Sequence, residues 1–278
     1  MGTSHSSLAV PHLPDQLAKS GVPPVIQARL KKSWTKLTIH LSEPGAEPSY
    51  CATFPDGWWG VMTLHNGPSE TDRAIAHSVL KGKMMVDNII SLPPPTAGDA
   101  SLDGKEILRH KWRVGSEKFW FAMDVGEGAA RRVERFEWRH SRGQEVKSMG
   151  QGSFGWKLVR LDPGDPEDED ADAEDGDLEG YKEFVRGGGH GKKGGDAKED
   201  EDEMGREGAA SRSLTKDGRE IVAVWADASV RKMSMTNVGE LQFRGAGATG
   251  EFGTRWALMA VMTCLSMWQK AAAAASAS

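Results

Sequence analysis

Residues 131–142, RRVERFEWRHSR, form the densest run of chemically capable side chains in the chain. Guanidinium groups present a fork of donors that matches carboxylate and phosphate oxygens. Laid out as a strand, the run puts Phe136 and Trp138 on one face. Arg131, Arg135 and Arg139 then project from the other, with Glu137 among them. Arg132, His140 and Arg142 lie nearby, and RLKKSWTK (29–36) adds Lys31 and Lys32. This set predicts a patch for phosphoinositides or other acidic lipid head groups, each cation contributing about 1 kcal/mol near a charged membrane. The plainer alternative is a solvated strand face whose charges keep the protein dispersed. Arginines interleaved with aromatics also suit single-stranded nucleic acid, but no recognised nucleic-acid module accompanies them, so nucleic acid is not an expected partner. Met1-Gly2 with Ser6 fits the myristoylation pattern, making Gly2 a candidate acylation site. A single acyl chain binds membranes only reversibly, and a basic patch is the usual second signal.

Other motifs lack the context their chemistry needs. GAGATG (245–250) is a literal G-x-G-x-x-G between a strand-like run and a helix-like run. A dinucleotide-binding unit also requires a second strand and an acidic residue about 20 positions on, and neither follows. A flexible turn feeding the chain into its next element is the expected role. GGGHGKK (187–193) has the wrong spacing for a phosphate loop, and a Lys stands where Ser or Thr should follow. No G-x-S-x-G occurs, and no Cys/His spacing suits zinc. Acidic clusters such as PEDEDADAED lack the glycine turn and terminal Glu of a calcium loop. No catalytic residues, metal or cofactor are therefore expected, and the protein is read as a non-enzyme.

Charge is distributed unevenly along the 278 residues, whose formal net charge is -5. Between Asp162 and Ala210 lie 19 acidic and 6 basic residues, which leaves 21 acidic and 29 basic elsewhere, a surplus of +8. Residues 163–213 are charged, Gly-rich and poor in apolar side chains, so they are expected to be a disordered insertion in a loop between two strands. This insertion supplies a second candidate function, a scaffold on which acidic residues dock basic proteins. Two cysteines, Cys51 and Cys264, exclude a disulfide framework. The N-terminus lacks the basic and apolar regions of a secretory signal. A monomer in the cytoplasm, peripheral at the membrane, is expected, with the nucleus left open.

The remaining pattern is one of short strands. In KLTIHLS, Leu37, Ile39 and Leu41 alternate with Lys36, Thr38 and His40. Similar runs occupy 57–65, 84–92, 106–114, 118–125, 132–140, 155–161, 219–227, 230–235 and 239–245, separated by turns such as Asn66-Gly67-Pro68 and Asp217-Gly218. SETDRAIAHSVLKG (69–82) reads as a short helix capped by Ser69, with Asp72 three residues on. The expected organisation is a flexible arm (1–28), one strand-rich domain in two parts (29–162 and 214–270) around the insertion, and an Ala/Ser tail (271–278).

GTRWALMAVMTCLSMWQK (253–270) decides the architecture. From Trp256 to Trp268 only Thr263 and Ser266 are polar, and the Ala, Leu and Met content favours helix. Thirteen residues span about 20 Å, too short for a hydrocarbon core of about 30 Å. A helix that is apolar all round must be buried all round. A strand, GELQFRG, then a polar turn, an aromatic at Phe252 and a terminal apolar helix resemble the tubby C-terminal domain superfamily, which includes phospholipid scramblases and LURP-one proteins. The resemblance covers 31–161 and 214–270 and implies a mainly β fold, a closed antiparallel barrel of about twelve strands around the helix. It also implies lipid binding of the kind seen in the tubby branch.

Overall fold

The computed structural model describes residues 8–31, 37–81, 87–95, 104–113, 116–126, 130–150, 154–162, 214–228 and 237–276. These residues contain twelve strands closed into one antiparallel barrel: β1 (Val25–Lys31), β2 (Thr38–Ser42), β3 (Tyr50–Thr53), β4 (Met62–His65), β5 (Ala74–Lys81), β6 (Asp87–Ser91), β7 (Lys105–Arg113), β8 (Ser116–Val125), β9 (Arg132–Ser141), β10 (Gly155–Arg160), β11 (Ile221–Asp227) and β12 (Asn237–Phe243). Each strand pairs with its sequence neighbours, and β1 pairs with β12 to close the ring, Val25 opposite Gln242. Closure leaves no strand edge unpaired. The helices are α1 (Asp15–Ser20), α2 (Gln144–Lys147), α3 (Gly245–Thr249) and α4 (Gly253–Ser276).

Helix α4 fills the barrel. Trp256, Leu258, Met259, Met262 and Leu265 are buried against inward side chains from the strands, including Ile39, Leu64, Ile90, Phe121 and Trp138. Burying each large apolar side chain contributes about 2 kcal/mol, so the lining and the helix hold each other in place. The two polar interruptions have partners. The Trp138 indole N–H donates to Thr263 Oγ1 at 3.0 Å, and Ser266 Oγ lies 2.9 Å from Ser78 Oγ. Polar ties also hold the helix near both ends. Arg255 donates to Glu106 (2.7 Å) and the Pro93 carbonyl (3.1 Å), and Gln269 donates to the carbonyls of Trp58 (2.7 Å) and Gly60 (3.1 Å). Among the described residues no helix is long and apolar enough to cross a membrane.

Several elements differ from the sequence reading, which contains neither β3 nor α2. The helix expected in 69–82 is a turn followed by β5. Ser69 N–H donates to the Asp72 carboxylate (2.8 Å), the capping signal, yet it closes a turn. Ala76 and Ser78 then pair with Leu64 and Met62 of β4, so pairing overrides the local helix preference. The arm is shorter than 28 residues, because Leu17 of α1 and Ile26 and Ala28 of β1 join the core. The Ala-rich tail belongs to α4 as far as Ser276, with Ala273 and Ala274 fully buried. GAGATG is not a loose turn but α3, closed by Gly250 at φ 80°. A Cβ on Gly247 would stand 2.3 Å from the Val222 carbonyl oxygen and 2.8 Å from the Trp256 ring, so close packing explains that glycine. The strand expected at 230–235 and the insertion 163–213 lie outside the described residues.

Candidate functional site

Strand alternation sorts the wall into two faces. On β9, Glu134, Phe136 and Trp138 are buried and point inward, so Arg135, Glu137 and Arg139 face out. On β8, Phe119 and Phe121 point in, so Lys118 and Trp120 face out. On β7, Leu108 is buried inside and His110 bonds to Glu117 within the barrel, so Arg109 and Lys111 face out. Register then aligns the outward cations. Lys111 stands directly opposite Lys118, and Arg109 opposite Trp120. Phe119 opposite Trp138 puts Lys118 beside Arg139, and Trp120 opposite Glu137 completes the next row. Arg139 is in turn opposite Lys157 of β10, which is buried beside Glu145 of α2.

The outer wall of β7–β9 therefore carries Arg109, Lys111, Lys118, Arg135 and Arg139 around Trp120. Glu137 is the acidic residue in their midst, 2.6 Å from the Arg139 guanidinium and 3.9 Å from the Lys118 ammonium. Asp217 borders the patch, 3.1 Å from Arg139. Burial would lower the Arg139 pKa, but the bonds to Glu137 and Asp217 outweigh it and hold the cation more firmly. Asp87 borders the other side and accepts the His110 backbone N–H (3.0 Å). Among the described residues Arg109 and Lys111 have no carboxylate within salt-bridge distance. The Lys118 side chain is 45% exposed.

The sequence-predicted set does not assemble as one patch. Arg135 and Arg139 join the wall. Arg131 binds Asp124 (2.6 Å). Arg132 shares the inward parity at one end of β9 and binds Glu134 and Glu251, the latter at 2.7 Å. His140 lies at the other end, about 27 Å along the strand, where its ring packs 3.5 Å from Trp156 and its Nε2 lies 3.3 Å from Glu117. Arg142 lies over Phe154. Lys31 is on β1, four strands from β9 around the ring. Lys32 and Gly2 lie outside the described residues. Sequence reading missed Arg109, Lys111, Lys118 and Trp120. Alternation in EILRHKWRV and KFWFAMDV carries them, but only the register places two strands' cations in one row.

Inside the barrel, near the C-terminal end of α4, a second charged cluster surrounds Glu117. His110 Nε2 lies 3.0 Å from it, and the His110 ring stacks on Phe119. Burial would raise the Glu117 pKa, but the bonds from His110 and His140 prevail and hold it at about 2. Lys270, only 3% exposed, sits with its ammonium 5.5 Å above the Phe119 ring, and burial brings its pKa down to about 7. Shifted pKa values of this kind often mark reaction centres. A water-sized apolar void lies elsewhere in the barrel, lined by Val22, Ile26, Leu41, Tyr50, Leu64, Leu258 and Val261. Both cysteines are buried, and burial raises each thiol's pKa, Cys51 to about 11, away from the reactive range. Among the described residues no group of three His, Cys, Asp or Glu side chains is arranged to hold a metal ion. No protein-family model, no curated protein and no solved structure matches this chain.

Proposed function

We propose that the protein is a non-enzymatic binding domain, a barrel of the tubby type whose outer wall of β7–β9 receives acidic phospholipid head groups at a membrane surface. The observation that carries this reading is the row Lys111–Lys118–Arg139. Like charges directly opposite one another across a strand pair destabilise a sheet. A fold that retains them against its own stability signals a use for the charge. The row sits on the convex outside of a barrel, where several cations can face a plane of anions together. At about 1 kcal/mol for each Lys or Arg near an anionic leaflet, the five cations less Glu137 supply about 4 kcal/mol, a millimolar-range attraction. Such attraction weakens with salt, because exposed charges are screened over about 8 Å at physiological ionic strength.

Vesicle co-sedimentation tests the reading. Phosphatidylcholine vesicles doped with phosphatidylserine or a phosphoinositide should retain the protein, and pure phosphatidylcholine should not. Lys111→Glu/Lys118→Glu is expected to weaken binding roughly a hundredfold or more, since each reversal removes one attraction and adds one repulsion. Lys31→Glu, on the far side of the ring, should leave it unchanged. Equal binding by the wall variant with an unaltered melting curve removes the wall from consideration.

A further inference from the structure

The register that aligns the cations also aligns an apolar row beside them. Val79 of β5 is opposite Ile89 of β6, and Ile89 is opposite Ile107 of β7. Their sequence neighbours Ser78, Ile90 and Leu108 are buried, with Ser78 reaching Ser266 of α4, so Val79, Ile89 and Ile107 face outward. All three are half-buried, as is Trp120 on the next strand. None belongs to the core that packs on α4. Lys81 and Lys105 are exposed at the ends of β5 and β7, and Arg109, Lys111 and Lys118 border the row on the β7–β8 side. The outside of a soluble antiparallel barrel usually alternates to polar residues. Three consecutive strands here present β-branched apolar side chains instead, across about 10 Å of wall at the usual strand spacing.

We infer that the β5–β8 wall is a bilayer-contact face, with Val79, Ile89, Ile107 and Trp120 entering the interfacial layer of an anionic membrane while the surrounding cations hold the head groups. The inference rests on the function proposed above and deepens it from charge contact with head groups to entry of an apolar row into the bilayer interface. A dissolved polyanion satisfies only the charges. A membrane satisfies both parts, since an apolar stripe bordered by Lys and Arg matches an acyl boundary beneath phosphates. Trp is well suited to that layer, having an apolar ring with a polar N–H.

The experiment uses the full chain with two probes, phosphatidylcholine–phosphatidylserine vesicles and heparin as a soluble polyanion. Ile89→Ser/Ile107→Ser should bind heparin as the wild type does. It should lose vesicle affinity roughly tenfold or more, because two half-buried side chains no longer leave water on binding. The vesicle binding that survives high salt in the wild type should vanish in this variant. Trp120 emission should be quenched by brominated acyl chains in the wild type, which Trp120→Phe identifies among the other tryptophans. Unchanged vesicle affinity and salt resistance in a folded Ile89→Ser/Ile107→Ser variant overturns the inference while leaving the charged wall intact. Retention on heparin with no retention on anionic vesicles overturns both the inference and the proposed function. Loss of both heparin and vesicle binding in the wild type overturns the proposed function itself. A wild-type dimer that Ile107→Ser dissolves assigns the wall to self-association and overturns the bilayer assignment.

Discussion

Lys270 is the residue at which the interior chemistry can be measured. It faces Asp87 and Glu117, whose charges favour its protonated form, but burial dominates and brings its pKa from 10.5 to about 7. Its other charged neighbour, His110, is itself lowered by burial. Between pH 7 and 10.5 the unfolded chain holds a proton on this amine that the folded chain has released. The contribution of Lys270 to stability therefore rises with pH across that window, by up to about 1.4 kcal/mol per unit. Asp227 has the opposite sign. Burial raises its carboxyl from 3.8 to about 7, against the pull of the Trp225 indole N–H. The folded chain then keeps a proton that the unfolded one has lost, and its contribution, full below pH 3.8, disappears as pH passes 7. Together the two groups place a trough of stability near neutrality. Urea melts across pH 7–9, below the range in which the buried Cys51 and Cys264 thiols oppose it, should show the rise in the wild type and its loss in Lys270→Met. An unchanged slope in that variant means that Lys270 is not held deprotonated in the folded state.

At the scale of elements, close approach rather than propensity sets several positions. Gly239 on β12 faces Trp225, and a Cβ there would stand 2.4 Å from the indole ring and 2.7 Å from the Ala226 carbonyl oxygen. Gly239→Ala must push apart β11 and β12, which pair at this point, Asp227 opposite Gly239. A loss of about 1–3 kcal/mol is expected, readable as a lower urea midpoint with an unchanged slope. Strands with clean alternation, such as β2 and β9, are legible in the sequence, and α4 is legible because an all-round apolar helix has only one place to go. Three other elements are less so. β1 follows Pro23-Pro24 and hides in an arm-like composition. β5 has the Ala, Leu and capping residues of a helix and is a strand because β4 and β6 pair with it. The last turns of α4 are Ala repeats whose burial depends on the barrel's depth. The candidate site was legible only in part, since Arg135 and Arg139 lie on one strand, whereas the Lys111–Lys118 pair exists only through the β7–β8 register.

The molecule as a whole is one ring around one helix, and its long acidic insertion sits between two strands that are already neighbours. β10 and β11 pair from Gly155 opposite Ala226 to Val159 opposite Ile221, and a bridge between Leu214 and Glu220 forms the approach to β11. The chain leaves the barrel beside β9, where Leu161 N–H donates to the Arg135 carbonyl (2.9 Å). The chain between Asp162 and Leu214 therefore connects two strands that pair directly with each other. The entropic cost of closing a flexible loop grows with the logarithm of its length, so reduction from about fifty residues to about five recovers about 2 kcal/mol. Replacement of 163–213 by a five-residue Gly/Asn turn should give a barrel with a higher urea midpoint and the same unfolding slope. It also separates the two candidate functions. Removal of the acidic run should strengthen retention on anionic vesicles, as the net charge shifts in the positive direction, whereas a scaffold that works through its acidic run would lose its basic partners. A replacement variant that melts earlier than the wild type means that the insertion packs on the barrel, and the hairpin then needs it for more than connection.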